Sequence, residues 1–263
     1  MSDTETRSRH SFHREVDVMG TVVTIDLYGG DVRDEVSTTR RIDAAALELH
    51  KADEVFSTWK WESPLSRLRR GDLSVFEAPT DVIEVLEACR RARRASGGWF
   101  DPWSMPGAVD PTGLVKGWAA QRALNILKEL DVTGAVVNAA GDIASFGGPD
   151  VGQTFRFGIV RPDDPLKLAC ILESPGAVAT SGTYERGNHL INPFTGAATS
   201  TVSATVTGPE LGLADALATA LAVAGPAGIE FIDALEHYEG LVIEPAGTYV
   251  QSQRFEMAEN FLI

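Results

Sequence analysis

Residues Phe155–Gly182 read FRFGIVRPDDPLKLACILESPGAVATSG. Three runs rich in β-branched and apolar residues (FRFGIV, LACILE and GAVATSG) follow one another, separated by Pro, Asp, Gly and Ser turn signals. No run with a helical period lies between them. Successive parallel strands need a crossover, usually a helix, so this stretch speaks against a doubly wound parallel sheet and for the α+β class.

Outward from that stretch the pattern stays irregular. Downstream come the strand-like TVSATVTGP (201–209), the helical ADALATALAVAG (214–225), a second helical run near 227–235, and short strands at EGLVIE and TYVQS. Upstream, VMGTVVTIDLYG (18–29) reads as one strand, and helical spacing runs from Val36 to Phe56. STWKWESPLSRLRRGD breaks that spacing with Ser, Pro and Gly. A helix over Asp81–Arg94 ends at the glycines of SGG. The loop WFDPWSMPGAVDPTG leads to a helix from near Val115, then to the strand-like GAVVNAAGDIASFGG. There is no fixed repeat and no low-complexity linker. The expectation is a disordered tail over residues 1–14 and a single domain over 15–263. That domain has mixed sheets with packed helices, built as one unit or as two intimately packed halves.

The chain has 263 residues and a formal net charge of −14. That charge argues against general binding to nucleic acid, whose phosphates need clustered Lys and Arg, but leaves room for a phosphate-bearing small molecule. The sequence reading finds no apolar run long enough to span a bilayer. It also finds no apolar secretory segment and no lipid-attachment cysteine in MSDTETRSRHSFHREVDVMG. Cys89 and Cys170 are isolated among apolar neighbours, as small core residues are. A cytoplasmic protein is the expectation.

Four stretches could carry chemistry. In DPTGLVKGW (110–118), Gly113 lets a backbone approach closely, and Lys116 would stand in the first turn of a helix, where unpaired N–H groups favour an anion. The plain alternative is a solvated lysine at an ordinary helix start. In LADALATALAVAG, Asp215 and Thr219 share a helical face among Ala, Leu and Val. A carboxylate and a hydroxyl there suit Mg2+ or Ca2+, or else Asp215 is a first-turn acid. His189, in a polar glycine-bearing loop, is either a general acid or base or ordinary surface. In VNAAGDI, Gly141 and Asp142 form either a close-packing strand end or a plain turn.

Taken in order, these stretches resemble the ApbE-like FAD:protein FMN transferases. MGTVVTI, FSTWKWESPLSRL, GGWFDP, DPTGLVKGWA, VNAAGDI, VATSGTYER…HLINPFTG and ADALATAL are similar to the family's successive motifs over roughly residues 17–225. Trp59 and Trp118 stand where the family has tyrosine, Ala140 where it has the first glycine of Gly-Gly-Asp, and Asn192 where it has Asp before Pro. The resemblance implies a divalent-metal-dependent enzyme, with Mg2+ or Ca2+, that cleaves the FAD pyrophosphate. It would pass FMN to a Ser or Thr hydroxyl of an acceptor flavoprotein and release AMP; the alternatives are an FAD pyrophosphatase yielding FMN and AMP, or an FAD-binding protein without turnover. It also implies a metal held by Asp215, Thr219 and the Gly113 carbonyl, and a pyrophosphate-neutralising Lys116. FAD contacts are implied from Met19, Trp59, Trp99, Phe100, Asp101, Asp110 and Leu190, with Trp59 stacking on a flat ring. His189 and Asp215 are the implied catalytic groups.

Overall fold

The computed structural model describes residues 11–29, 35–105, 107–173, 176–182, 190–198, 203–244 and 247–262. The strands form two antiparallel sheets. The larger is ordered β1 (Ser11–Val18), β2 (Thr21–Tyr28), β3 (Gly134–Ala139), β4 (Asp142–Gly147), β7 (Ala177–Ser181), β8 (Ser203–Gly208), β9 (Glu239–Ile243) and β10 (Tyr249–Gln251). The smaller is ordered β11 (Glu259–Asn260), β6 (Asp164–Glu173) and β5 (Arg156–Arg161). The α+β class expected from the sequence is the class observed. β4 from the first half pairs with β7 from the second, Ile143 opposite Val178 and Ala144 opposite Ala177, so one sheet runs through both halves.

Helices cover one face of that sheet: α1 (Glu35–Phe56), α4 (Thr112–Leu127) and α5 (Leu211–Ala224). The small sheet packs on the other. The division follows the two-residue period of a strand. Along β7 and β9, Ala177, Ala179 and Val242 face the helical core, whereas Val178, Leu241 and Ile243 meet Ile159, Cys170 and Leu172 of the small sheet. Both faces of these central strands are therefore buried, which explains why they read as continuous apolar runs.

Several elements differ from the sequence reading. The stretch 18–29 is not one strand: Met19 and Gly20 have φ of 54° and 70° and turn the chain between β1 and β2. Two successive residues at positive φ are the geometry that matches strand twist in a tight hairpin. β1 therefore takes in residues 11–14, assigned on composition to the tail. The polarity that suggested a tail belongs to the exposed strand face, where His13 pairs with Asp26 at 2.7 Å, while Val16 and Val18 turn inward. Hydrogen bonding to Asp26 raises the His13 pKa.

The presumed break before Gly71 contains a helix, α2 (Pro64–Arg70). Its signals are local: the Ser63 hydroxyl accepts from the Ser66 N–H, Pro64 opens the helix, and Gly71 closes it at φ 80°. Leu211–Asp233 is, by length and composition, apolar enough to qualify as a membrane span. It is a core segment, interrupted at Gly225, with Ala214, Ala218 and Leu221 fully buried. The helix α3 (Thr80–Ala95) agrees with expectation to within one residue at each end, and a short α6 (Ile229–Asp233) follows α5.

Two predictions arise from these elements. Ala140 occupies the left-handed region at φ 53°, with Gly141 at 95°, in the tight turn between β3 and β4. What a glycine would supply at this position is backbone conformation. Ala140→Gly is expected to stabilise the protein by roughly 1 kcal/mol, seen as a higher denaturation midpoint with unchanged slope. The second concerns the thiols. Burial, with the Asp110 carboxylate adding to it, pushes Cys89 up to about 12, and burial pushes Cys170 to about 11. At pH 8 roughly one thiol in a thousand or fewer is ionised. A thiol-reactive dye should label neither cysteine in the native protein and both after unfolding.

Candidate active site

A cavity of about 200 Å3 opens where the start of α4, the middle of α5 and the end of β7 converge. Its walls include Trp99, Phe100, Asp101, Asp110, Gly113 and Lys116. Leu190, Asp215 and Thr219 complete the set of expected site residues found there.

α4 begins earlier than predicted. Thr112 is its first residue, and the Asp110 carboxylate accepts the Thr112 N–H at 3.1 Å. Gly113 therefore lies inside the helix, and Lys116 lies one turn in rather than in the first turn. Gly113 is small for a tertiary reason: a Cβ there would sit 3.1 Å from the Thr219 hydroxyl and 3.3 Å from the Phe100 ring. Two turns of different helices are thus brought into contact at the cavity wall.

Asp215 is only 3 % exposed and lies beyond the first turn of α5, so it is not a first-turn acid. Its Oδ2 accepts the Gly117 N–H at 2.9 Å. In a regular helix that N–H serves the carbonyl four residues back, that of Gly113. Thr219 is one turn further along α5, with its hydroxyl 3.4 Å from that of Ser181. Oxygen donors of three kinds (carboxylate, hydroxyl and carbonyl) therefore share one small region. Among the described residues no group of three or more His, Cys, Asp or Glu side chains could hold a metal. Hard oxygen donors completed by phosphate or water are the set that Mg2+ prefers, so the residues present fit such an ion.

The Lys116 ammonium lies 2.5 Å from Asp142 Oδ2, and Asp142 is 1 % exposed. Asp142 Oδ1 also accepts the Thr180 N–H at 3.2 Å. The sequence singles out Asp142 with Gly141 and includes Thr180 and Ser181 in a family-like stretch, but it assigns none of the three a site role. One available signal was a carboxylate immediately before the apolar residues that open β4.

The other two carboxylates at the cavity also brace the surrounding chain. Asp101 caps a short 3-10 turn (Pro102–Ser104) through the Trp103 N–H and pairs with Arg93 at 2.8 Å. Asp110 pairs with Arg69 of α2 at 3.2 Å, and Arg69 also donates to the Gly107 carbonyl. Trp99 meets Phe194 edge-on at 4.9 Å. Asn192 accepts the Phe194 and Thr195 N–H groups through its Oδ1, a role open equally to the aspartate it replaces.

Two expected contacts lie away from the cavity wall. Met19 occupies the β1–β2 turn, packed against the main core. Trp59 is 95 % exposed, in a turn whose N–H groups at residues 59 and 60 are held by the Ser57 hydroxyl. His189 falls outside the described residues.

Comparison with known proteins agrees with this architecture. The flavin transferase ApbE of Vibrio cholerae aligns over 94 % of this chain and 99 % of its own, with 20 % identity and a TM-score of 0.77. The ApbE protein of Thermotoga maritima aligns over 92 % and 97 %, with 20 % identity and a TM-score of 0.79. The Pseudomonas stutzeri flavinyl transferase ApbE in its apo form gives 93 %, 94 %, 20 % and 0.74. At that identity the likeness is one of fold. Comparison with curated proteins finds no match. A sequence model of the ApbE family matches residues 19–107 and 104–242, which takes in β2 to β8, most of β9 and every wall of the cavity. The chain belongs to the ApbE family.

Proposed function

We propose that the protein cleaves the pyrophosphate of FAD, transfers FMN to a Ser or Thr hydroxyl of an acceptor flavoprotein, and releases AMP. The observation that carries this reading is the meeting of Lys116, Asp215, Thr219 and Gly113 at one cavity wall. An ammonium beside a cluster of hard oxygen donors is suited to phosphoryl transfer, which depends chiefly on charge neutralisation and positioning.

In the proposed step the acceptor oxygen bonds to the FMN phosphorus as the bond from that phosphorus to the AMP oxygen breaks. The hydroxyl proton goes to a base, for which Asp215 and His189 are the proposed groups. Lys116 faces the pyrophosphate oxygens, while the aromatic wall of Trp99 and Phe100 offers apolar and stacking surface to a flat ring. Asp215, Thr219 and the Gly113 carbonyl would hold Mg2+ or Ca2+. Such an ion supplies charge neutralisation at the phosphate oxygens.

The test is AMP and FMN release from FAD by the purified protein, with Mg2+, with Ca2+ and with EDTA, each with and without candidate acceptors. Metal-dependent AMP with flavin covalently on the acceptor is the expected result. AMP with only free FMN under every acceptor condition would make the enzyme a hydrolase. FAD left intact throughout would overturn the reading.

A further inference from the structure

Lys116 and Asp142 form a unit whose purpose a phosphate-binding lysine alone does not explain. A lysine needed only to meet phosphate could reach it from a solvated position. This one is instead held at 2.5 Å by a carboxylate that is itself almost wholly buried. The second oxygen of that carboxylate takes the Thr180 N–H. Thr180 is fixed from its other side by the Thr205 hydroxyl at 2.9 Å. The next residue, Ser181, brings its hydroxyl to Thr219. One carboxylate thus ties α4, β4 and the cavity end of β7 together, with the ammonium on one side and the hydroxyl pair on the other.

We propose that Asp142 is a positioning residue that fixes the Lys116 ammonium and the Thr180–Ser181 strand end in a single geometry before a pyrophosphate enters. This deepens the function proposed above and rests on it for the substrate. The physical gain is preorganisation: a flexible four-carbon side chain restrained in advance loses less freedom when the ligand binds. Removing the restraint should therefore act through Lys116 and not independently of it.

A double-mutant cycle tests this, using Asp142→Asn, Lys116→Met and the pair. Asparagine retains an oxygen for the Thr180 N–H but cannot balance the ammonium. Two readouts are taken on each protein: kcat/KM for AMP release, and the FAD dissociation constant from flavin fluorescence. D142N is expected to lower kcat/KM roughly 100-fold and weaken FAD binding about 10-fold. In the K116M background the same change should alter either quantity by less than about 3-fold. Full additivity, or a D142N protein as active as wild type, would overturn the proposal. A wild-type protein that binds FAD yet releases no AMP would overturn the transferase reading, and the binding cycle would then decide this inference by the same criterion. Thermal melts check folding, and Asp142→Ser takes the place of D142N in the cycle if the latter does not fold.

Discussion

Replacing Asp215 with asparagine is expected to lower metal-dependent AMP release from FAD by about 1000-fold or more. The change is chosen because the amide oxygen can still accept the Gly117 N–H, which the carboxylate accepts at 2.9 Å. The contact between α4 and α5 therefore survives, and only the charge is removed. A neutral oxygen in a site that is 3 % exposed neither attracts a divalent cation strongly nor takes a proton. Melting temperature should stay within a few degrees of wild type while both turnover and Mg2+ binding by titration calorimetry collapse. Retention of activity to within 10-fold would remove Asp215 from the proposed machinery.

Gly117→Ala is expected to lower both stability and activity. A Cβ at this position would lie 2.6 Å from the Leu211 carbonyl oxygen and 2.8 Å from the Asp215 Cβ. Neither neighbour can rotate away, because one is backbone and the other the root of a buried side chain. The two helices must move apart instead, at a cost of about 2–3 kcal/mol, or roughly 5–10 °C in melting temperature. Separation also lengthens the bond from the Gly117 N–H to Asp215, so activity should fall even at temperatures where the variant is folded. Gly113→Ala makes a useful contrast. Its nearest contact, 3.1 Å, is to the Thr219 hydroxyl and not to backbone. That neighbour can adjust, so the stability loss should be smaller, while the altered Thr219 reduces turnover. Equal melting temperatures for G117A and wild type would contradict the close helix contact.

Much of the fold is legible because strand and helix periodicities are local. The runs in Phe155–Gly182 become β5, β6 and β7, and the helical spacing over 36–56 and 81–94 becomes α1 and α3. The errors are local as well. The β1–β2 turn carries Met where Asn or Gly would have announced it, so two strands read as one. The helix α2 is not legible because its Ser-Pro start and Gly end look equally like loop chemistry when the helix is only seven residues long.

The site divides differently. Lys116, Asp215, Thr219 and Gly113 are visible in the sequence because each is chemically out of place: a lysine between glycines, a carboxylate in an alanine-rich helix, a hydroxyl one turn beyond it, and a glycine at a helix start. Asp142 is visible only as a residue of a candidate stretch, since in NAAGDIAS it reads equally as a turn acid, and neither its burial nor its partner can be read there. Its burial and its lysine come from the pairing of β4 with β7 and the passage of α4 across them. Gly117 is similar: its reason is the Leu211 carbonyl, far away in sequence. By itself the sequence determined the class of fold, the order of most elements and the chemical types available at the site. Only the tertiary structure decided which charge meets which, how closely the helices approach, and that Trp59 turns outward. Local propensity is set by neighbours along the chain, whereas burial, ion pairing and close contact depend on residues that the folded sheet brings together from distant positions.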